Sequence, residues 1–205
     1  MLLPRTRIFV VYGHDSRLLD AAVDTIKRAS SDGYRVESEV LNEEVLSAER
    51  AGSIYEALRR RMSLVDAAIV LATADDMGEK RSLIENIAAD ETDAFQRLIE
   101  SLKPRARQNV ILELGMLLNQ VGDERLLILV DRESDPPSDL VGRFWSYVEN
   151  EANAKLRIRR FIEQTCLKTS INLIGDESAR VDYSDLRHVG DVPLATFTHG
   201  KGGRT

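Results

Sequence analysis

Three short apolar runs, each ended by polar residues, constrain this chain more than any other feature of its sequence. They cover residues 8–12, 67–72 and 126–130, and each has the length of a buried β-strand. Between them lie segments in which apolar residues recur at helical spacing. Strands that alternate with helices predict an α/β fold, in which a parallel sheet is covered by helices on both faces. Ligands of such sheets bind beyond the carboxyl ends of the strands.

The segments between these runs predict the other elements. Asp15 or Ser16 offers an N-cap for a first helix, and Ser53 offers one for a second. The remaining expectations are an exposed strand at 34–41, a last, weaker strand at 144–148, a polar loop at 42–52, an interrupted acidic helical stretch at 79–103, and helices at 105–121 and 152–167. Apolar residues cover nearly every side of the helix at 105–121, so we expect that helix to be buried.

Composition excludes several classes of protein. The chain has 28 basic and 34 acidic residues and a net charge of −6, whereas nucleic-acid binding needs a cationic surface. Its single cysteine, Cys166, forms no disulfide within the chain. No apolar run approaches the roughly 20 residues of a membrane span, and residues 1–7 lack the pattern of a signal peptide. We therefore expect a cytoplasmic protein that contacts neither nucleic acid nor membrane.

Several familiar sites are missing from the sequence. No glycine-rich dinucleotide motif follows the first strand, no phosphate-binding P-loop is present, and no G-x-S-x-G nucleophile motif occurs. The three histidines lack the spacing of metal ligands. Asp75 and Asp76, after the second strand, could hold Mg²⁺, but acidic pairs in such positions are more often caps. We expect no metal and no cofactor.

Glu113 is the anomaly of the sequence, because it lies in the apolar segment 110–118. A carboxylate there must be paired, protonated or directed into a cleft. An ion pair with Arg105 or Arg107 is the structural alternative to a functional role. At helical spacing, a polar seam runs within about 40° of one line through Arg105, Asn109, Glu113, Met116 and Gln120. Asn109 lies one turn before Glu113 and could donate a hydrogen bond to it.

A single carboxylate in a cleft suits the cleavage of an N-glycosidic bond. Positive charge develops on the ribose during this reaction, and the carboxylate stabilises that charge or attacks it directly. Most glycosidases also need an acid for the leaving group. The nicotinamide of NAD⁺ does not, because its cationic ring nitrogen leaves as a neutral group.

Polar residues at the strand ends are the other candidates. Tyr12, Gly13, His14 and Asp15 end the first run, and Asp75 follows the second. Tyr12 could equally belong to the core, and His14 could simply hydrogen-bond within its turn. Arg105 and Arg107 precede or begin a helix, where positive charge opposes the helix dipole. They therefore need an anionic partner, which is either a phosphate or Glu113.

The chain resembles the bacterial TIR-like family described as predicted nucleotide-binding proteins. The resemblance is carried by RTRIFVVYGHD at residues 5–15, by RARQNVILELG at residues 105–115 and, more weakly, by PSDLVG at residues 137–142. Together these motifs place residues 5–165 within the family pattern. The family includes TIR domains of anti-phage effectors that work with cyclic-nucleotide signalling systems.

The resemblance implies a flavodoxin-like TIR fold, whose five-stranded, mainly parallel sheet has helices on both faces. It also implies an NAD⁺ glycohydrolase that acts in anti-phage defence, with Glu113 matching the catalytic glutamate. Residues 12–15 and the loop with Asp75 would line the nucleotide site, and residues 42–52 match a loop that moves on assembly. Relatives become active as homo-oligomers through TIR–TIR contacts. The resemblance also implies a cyclic-nucleotide signal, which could act on this chain directly or through another protein.

On this basis residues 1–168 form the TIR-like NADase domain, and residues 169–205 form a short, partly flexible C-terminal extension. Two other functions stay open. The chain could be a non-catalytic TIR module that binds a nucleotide or assembles with partners. It could also be a nucleoside or nucleotide N-glycosidase of the deoxyribosyltransferase type, which has a similar fold and a similar glutamate.

Overall fold

The sheet is the frame that positions every candidate residue. The computed structural model describes residues 5–40, 53–79, 84, 93–134 and 145–174, with side chains to residue 167. The strands are β1 (Thr6–Tyr12), β2 (Val36–Val40), β3 (Ala67–Ala72), β4 (Asp76–Gly78), β5 (Lys103–Arg105), β6 (Leu126–Asp131) and β7 (Trp145–Val148). The helices are α1 (Ser16–Ser31), α2 (Ile54–Met62), α3 (Ala94–Ser101), α4 (Gln108–Val121) and α5 (Glu151–Ile174).

Five strands form one parallel sheet in the order β2-β1-β3-β6-β7. Every residue of the central strand β3 is buried, because both faces of the sheet are covered. The α/β fold predicted from the three apolar runs is therefore confirmed, as is the flavodoxin-like architecture that the resemblance implies. Strands β4 and β5 pair antiparallel with each other and form a separate two-stranded ribbon.

Alternate residues of the central strands feed two hydrophobic cores. Phe9 and Val11 point to the face covered by α2 and α4, which contributes Val110 and Leu114. Ile8, Val10 and Ile69 point to the opposite face, where they meet the buried residues of α1 and α5. This period-two alternation decides on which side of the sheet each strand residue lies.

Both predicted N-caps form. Asp15 Oδ1 accepts hydrogen bonds from the amides of Arg17 and Leu18 at the start of α1, over 3.0 and 3.3 Å. At the start of α2, Ser53 and Glu56 form a reciprocal capping box. These contacts satisfy amides that the first turn of a helix leaves without partners.

Two expectations for the segment 105–121 are wrong. Its helix begins at Gln108, because Pro104 and Arg105 pair with Met77 and Asp76 in the β4–β5 ribbon. The helix is not buried on nearly every side, since Leu112 is 55% exposed. The exposed residues Gln108, Leu112, Gly115 and Asn119 form one stripe along its outer side.

Some expectations fall on residues outside the described ranges. These are the loop at 42–52, residues 80–83 and 85–92 of the stretch at 79–103, and the tail from residue 175 onwards. Helix α5 continues past residue 168 and ends at Ile174. Among the helices of the described ranges, none is both long and apolar enough to cross a membrane.

Candidate active site

The carboxyl ends of β1 and β3 bring the first group of candidate residues together. These strands are parallel neighbours, with Tyr12 of β1 opposite Leu71 of β3. The loops that follow them therefore emerge side by side at one edge of the sheet. Gly13 and His14 occupy the first loop, and Asp75 occupies the second.

Asp75 joins these two loops through a single carboxylate oxygen. Its Oδ2 atom accepts a hydrogen bond from the Thr73 hydroxyl over 2.6 Å and another from the His14 amide over 2.9 Å. A Cβ atom built on Gly13 would lie 1.6 Å from the same oxygen. Only glycine fits at that position unless the carboxylate moves. We name this arrangement of Gly13, His14, Thr73 and Asp75 the strand-end brace.

The sequence did not single out Thr73 as a functional residue. Its side chain is 3% exposed, and its hydroxyl donates within the brace. The only sequence signal was its place in the polar turn that ends β3, two residues before Asp75. A hydroxyl in such a turn commonly bonds to a nearby polar group, but its link to the β1 loop depends on how the strands pair.

Tyr12 and Asp15 serve the structure around the site. The half-buried Tyr12 packs against the core formed with α1 and α5. It therefore lies on the face of the sheet opposite to α4, the helix that carries Glu113. The Asp15 carboxylate caps α1, so it holds the helix that follows the β1 loop.

Glu113 lies in the second turn of α4, at the border of the core. Its neighbours along the inner side of the helix, Val110, Leu114 and Leu117, are all buried. Within the described part of the chain it has neither a hydrogen bond nor an ion pair, so the alternative of a pairing with Arg105 or Arg107 does not form. The hydrogen bond that Asn109 could have donated does not form either, and Asn109 is exposed. Burial raises the pKa of Glu113 to about 7.

Met116 and Gln120 of α4 face α2. A cleft of about 700 Å³ separates the two helices, and Met116 and Gln120 line it together with Tyr55 and Arg59 of α2. Gln120 lies two turns after Glu113, within about 20° of the same line along the helix. Glu113 thus lies on the same flank as the cleft and nearer to the carboxyl edge of the sheet. This flank is the polar seam predicted from the sequence, shortened to begin at Asn109.

Positive charge is concentrated at the start of α4. Arg107 occupies the N-cap position without a side-chain cap, and no acidic residue lies in the first turn. Arg105, at the end of β5, lies against Gly78, where a Cβ atom would be 2.3 Å from its Cζ atom. Neither arginine forms an ion pair with another residue of the described ranges. Unpaired cations beside free helix amides form an environment that favours an anion.

The candidate residues thus fall into two groups at one end of the fold. The brace joins Gly13, His14 and Asp75, while Arg105, Arg107 and Asn109 surround the start of the helix that carries Glu113. As far as the structure describes the chain, no three His, Cys, Asp or Glu side chains come together in a way that could hold a metal ion.

Comparison with known proteins shows to which family the chain is similar. Residues 7–150 match the family model described as the TIR domain of CAP12/Pycsar effector proteins. This range includes every candidate residue from Tyr12 to Glu113. A relative from Escherichia coli, called uncharacterized protein YuaY, is 30% identical over 154 residues. The match covers 74% of this chain and 43% of YuaY, so the chain spans less than half of that relative's length.

Proposed function

The chain belongs to the TIR-domain family of CAP12/Pycsar effector proteins, and from this membership we propose that it is an NAD⁺ glycohydrolase. Its reaction cleaves the bond between nicotinamide and ribose. Its biological role is that of an effector in anti-phage defence. The observation that carries the proposal is Glu113, a partly buried carboxyl group without a partner in the described part of the chain.

The chemistry needs one carboxylate. The bond between the ribose C1′ and the nicotinamide nitrogen breaks, and its electron pair neutralises the pyridinium ring. The ribose is left with an oxocarbenium-like charge, which the Glu113 carboxylate stabilises or attacks. Water then adds to C1′, displaces the Glu113 carboxylate where an ester bond to C1′ has formed, and loses a proton to solvent, which gives ADP-ribose beside the released nicotinamide. No acid is required for the leaving group, and the reaction uses no cofactor.

Burial makes Glu113 suitable for this task. A carboxylate at the border of a core interacts with a developing cation more strongly than one in water, because the local dielectric constant is lower. The same burial raises the pKa of Glu113 to about 7. The residue is therefore partly ionised at neutral pH, and a cationic substrate beside it would favour the ionised form further.

The remaining candidates would hold the rest of the substrate. We assign the pyrophosphate of NAD⁺ to the start of α4, where Arg105, Arg107 and the free helix amides offer positive charge. Gly13 and His14 form the wall of the site on the β1 side, with Asp75 behind them, and we assign the exposed Asn109 amide to the space between the two parts. Tyr12 contributes through the core beneath this wall, and Asp15 contributes by capping α1.

Assembly of several copies completes the proposal. Membership of the CAP12/Pycsar effector family supports a cyclic-nucleotide signal. That signal would act on this chain directly or through another protein. TIR–TIR contacts between copies would then assemble the active form in the cytoplasm. Leu112 supports such contacts, since it is exposed on the outer side of α4 and immediately precedes Glu113 in sequence. An exposed large apolar side chain beside a site is a common feature of an interaction surface.

A substrate panel tests this function. Concentrated protein is incubated with NAD⁺, with nucleosides and with nucleotide monophosphates, and the released bases are separated by chromatography. The proposal predicts release of nicotinamide from NAD⁺ and little release from the other substrates. Release of bases from nucleosides instead would identify the deoxyribosyltransferase-type reaction. Binding without release from any substrate, even in cross-linked assemblies, would identify a non-catalytic module.

A further inference from the structure

We propose that Asp75 is a positioning residue, which holds the Gly13–His14 loop at a fixed place beside the helix that carries Glu113. This inference rests on the proposed function, because it concerns the wall of that same site. Its basis is the strand-end brace, in which Asp75 contacts three residues from two loops. Asp75 acts through the loop and makes no contact with substrate in this account.

The bonding of Asp75 points to this role. A single oxygen, Oδ2, accepts both the Thr73 hydroxyl and the His14 amide, at 2.6 and 2.9 Å. Hydrogen bonds to an ionised acceptor are stronger than neutral ones and fix geometry well. The Asp75 amide also donates to the Thr73 carbonyl over 2.9 Å, so the turn around the carboxylate is itself closed.

Steric fit at Gly13 supports the same role independently. A Cβ atom there would overlap Asp75 Oδ2 at 1.6 Å, so the loop backbone and the carboxylate are in direct contact. Asp75 holds the backbone amide of His14, and the His14 side chain is exposed at the edge of the sheet. The brace thus fixes the backbone and leaves the imidazole free for a ligand.

A short chain of contacts links the brace to Glu113. Asp76, the next residue, pairs with Arg105 across the β4–β5 ribbon. Ala106 is buried in the core, and Arg107 is the N-cap of α4. The β1 loop and the Glu113 helix are therefore both anchored to the end of β3. Loosening Asp75 would separate the two sides of the site without removing a reacting group.

The hydrogen bonds of Asp75 indicate which variants should keep the brace and which should break it. In Asp75→Asn the amide oxygen can take the place of Oδ2 and accept both hydrogen bonds, although the negative charge is lost. Asp75→Leu removes both acceptors at similar size. Gly13→Ala disrupts the same contact from the other loop. Thr73→Val removes the hydroxyl and keeps the shape, and Thr73→Ser is its matched control because it keeps the hydroxyl.

The experiment combines amide exchange with kinetics. Hydrogen exchange at the His14 amide is followed by NMR in the wild type and in each variant, together with the melting temperature. KM and kcat for NAD⁺ are measured on the same samples. We expect the His14 amide to be protected in the wild type, in Asp75→Asn and in Thr73→Ser. Protection should fall in Asp75→Leu and Gly13→Ala, with an intermediate loss in Thr73→Val.

The kinetics should divide in the same way. Asp75→Leu and Gly13→Ala should raise KM by about tenfold, the effect of losing one hydrogen bond, while kcat changes little. The double variant should be no worse than either single one, because both break the same contact. Equal damage from Asp75→Asn and Asp75→Leu would overturn the proposal, since charge rather than position would then matter.

An unprotected His14 amide in the wild type would also overturn it. If Asp75→Leu does not fold, the comparison of Thr73→Val with Thr73→Ser decides the question. A wild-type protein that binds NAD⁺ but does not cleave it would contradict the proposed reaction. The exchange data and the dissociation constants of the same variants would still decide the role of Asp75.

Discussion

Glu113 lies one helical turn before Leu117, a residue with no exposed surface, so a carboxyl group and the centre of a core share one side of α4. This placement removes much of the water around the carboxyl group without giving it a partner among the described residues. The raised pKa of Glu113 follows from that desolvation. It leads to two predictions about pH, one for activity and one for stability.

The pH dependence of activity should report Glu113. The proposed reaction needs the ionised carboxylate, and its pKa in the free protein is about 7. The value of kcat/KM for NAD⁺ should therefore rise tenfold per pH unit below about pH 7 and level off above it. Initial rates of nicotinamide release across this range measure the profile. A flat profile around neutrality would argue against Glu113 as the ionising group.

Stability should change with pH in the opposite sense. The folded pKa of Glu113, about 7, lies above the ordinary glutamate pKa of 4.5, so the folded state binds a proton more tightly than the unfolded chain. Its contribution is complete below the unfolded pKa and is lost as pH rises through the folded one. Glu113→Gln should match the wild type at about pH 4 and exceed it by about 2 kcal/mol at about pH 8, after allowance for solvent screening.

Urea unfolding of both proteins at the two pH values measures this difference. Glu163→Gln, on α5 at the other face of the sheet, is the control and should show no such crossover. The same gap between wild type and Glu113→Gln at both pH values would contradict the assigned ionisation.

Arg105 and Arg107 should bind phosphate. Replacing either with alanine removes a cation from the start of α4, and KM for NAD⁺ should rise by about tenfold at low salt. Nicotinamide riboside lacks phosphates, so its cleavage should be unaffected by the same variants. Arg28→Ala, in the last turn of α1, is the control on a distant helix. Equal losses with both substrates would show that the arginines act on something other than phosphate.

Leu112 should mediate assembly. Leu112→Glu places a charge on the exposed outer side of α4 and should abolish the rise of specific activity with protein concentration. Leu156→Glu is a matched control, because Leu156 is 49% exposed, close to the 55% of Leu112, and lies on α5. Light scattering and activity across a dilution series measure both effects. Unchanged melting temperatures would show that the fold is intact, and unchanged assembly in Leu112→Glu would contradict the proposal.

Much of the fold was predictable from the sequence, because burial leaves a local trace. The fully apolar run at 67–72 predicts a central strand, and its polar end predicts the edge where the candidate site lies. Glu113 was visible for the same reason, since a charge within an apolar helix needs an explanation. Asp15 and Ser53 as caps follow from local spacing alone.

What was missed depends on pairing between distant segments. Helical spacing puts the start of α4 too early, because Pro104 and Arg105 pair with β4 and periodicity within one segment does not reveal that pairing. The brace was missed because the Thr73 hydroxyl gains its role only when β1 and β3 lie side by side. Alternation along the strand predicts that Tyr12 and Val11 lie on opposite faces of the sheet. The sequence does not show which helices cover each face, because that depends on the whole topology.

The release of nicotinamide by Glu113→Gln tests the central claim most directly. The substitution keeps the size of the side chain and removes the charge, and Glu163→Gln controls for a lost carboxylate elsewhere. Wild type, both variants and a mixture of wild type with Glu113→Gln are compared with NAD⁺ at one high protein concentration. We expect Glu163→Gln to match the wild type and Glu113→Gln to lose at least about a hundredfold in rate while still binding NAD⁺. Equal rates for Glu113→Gln and the wild type would contradict the account.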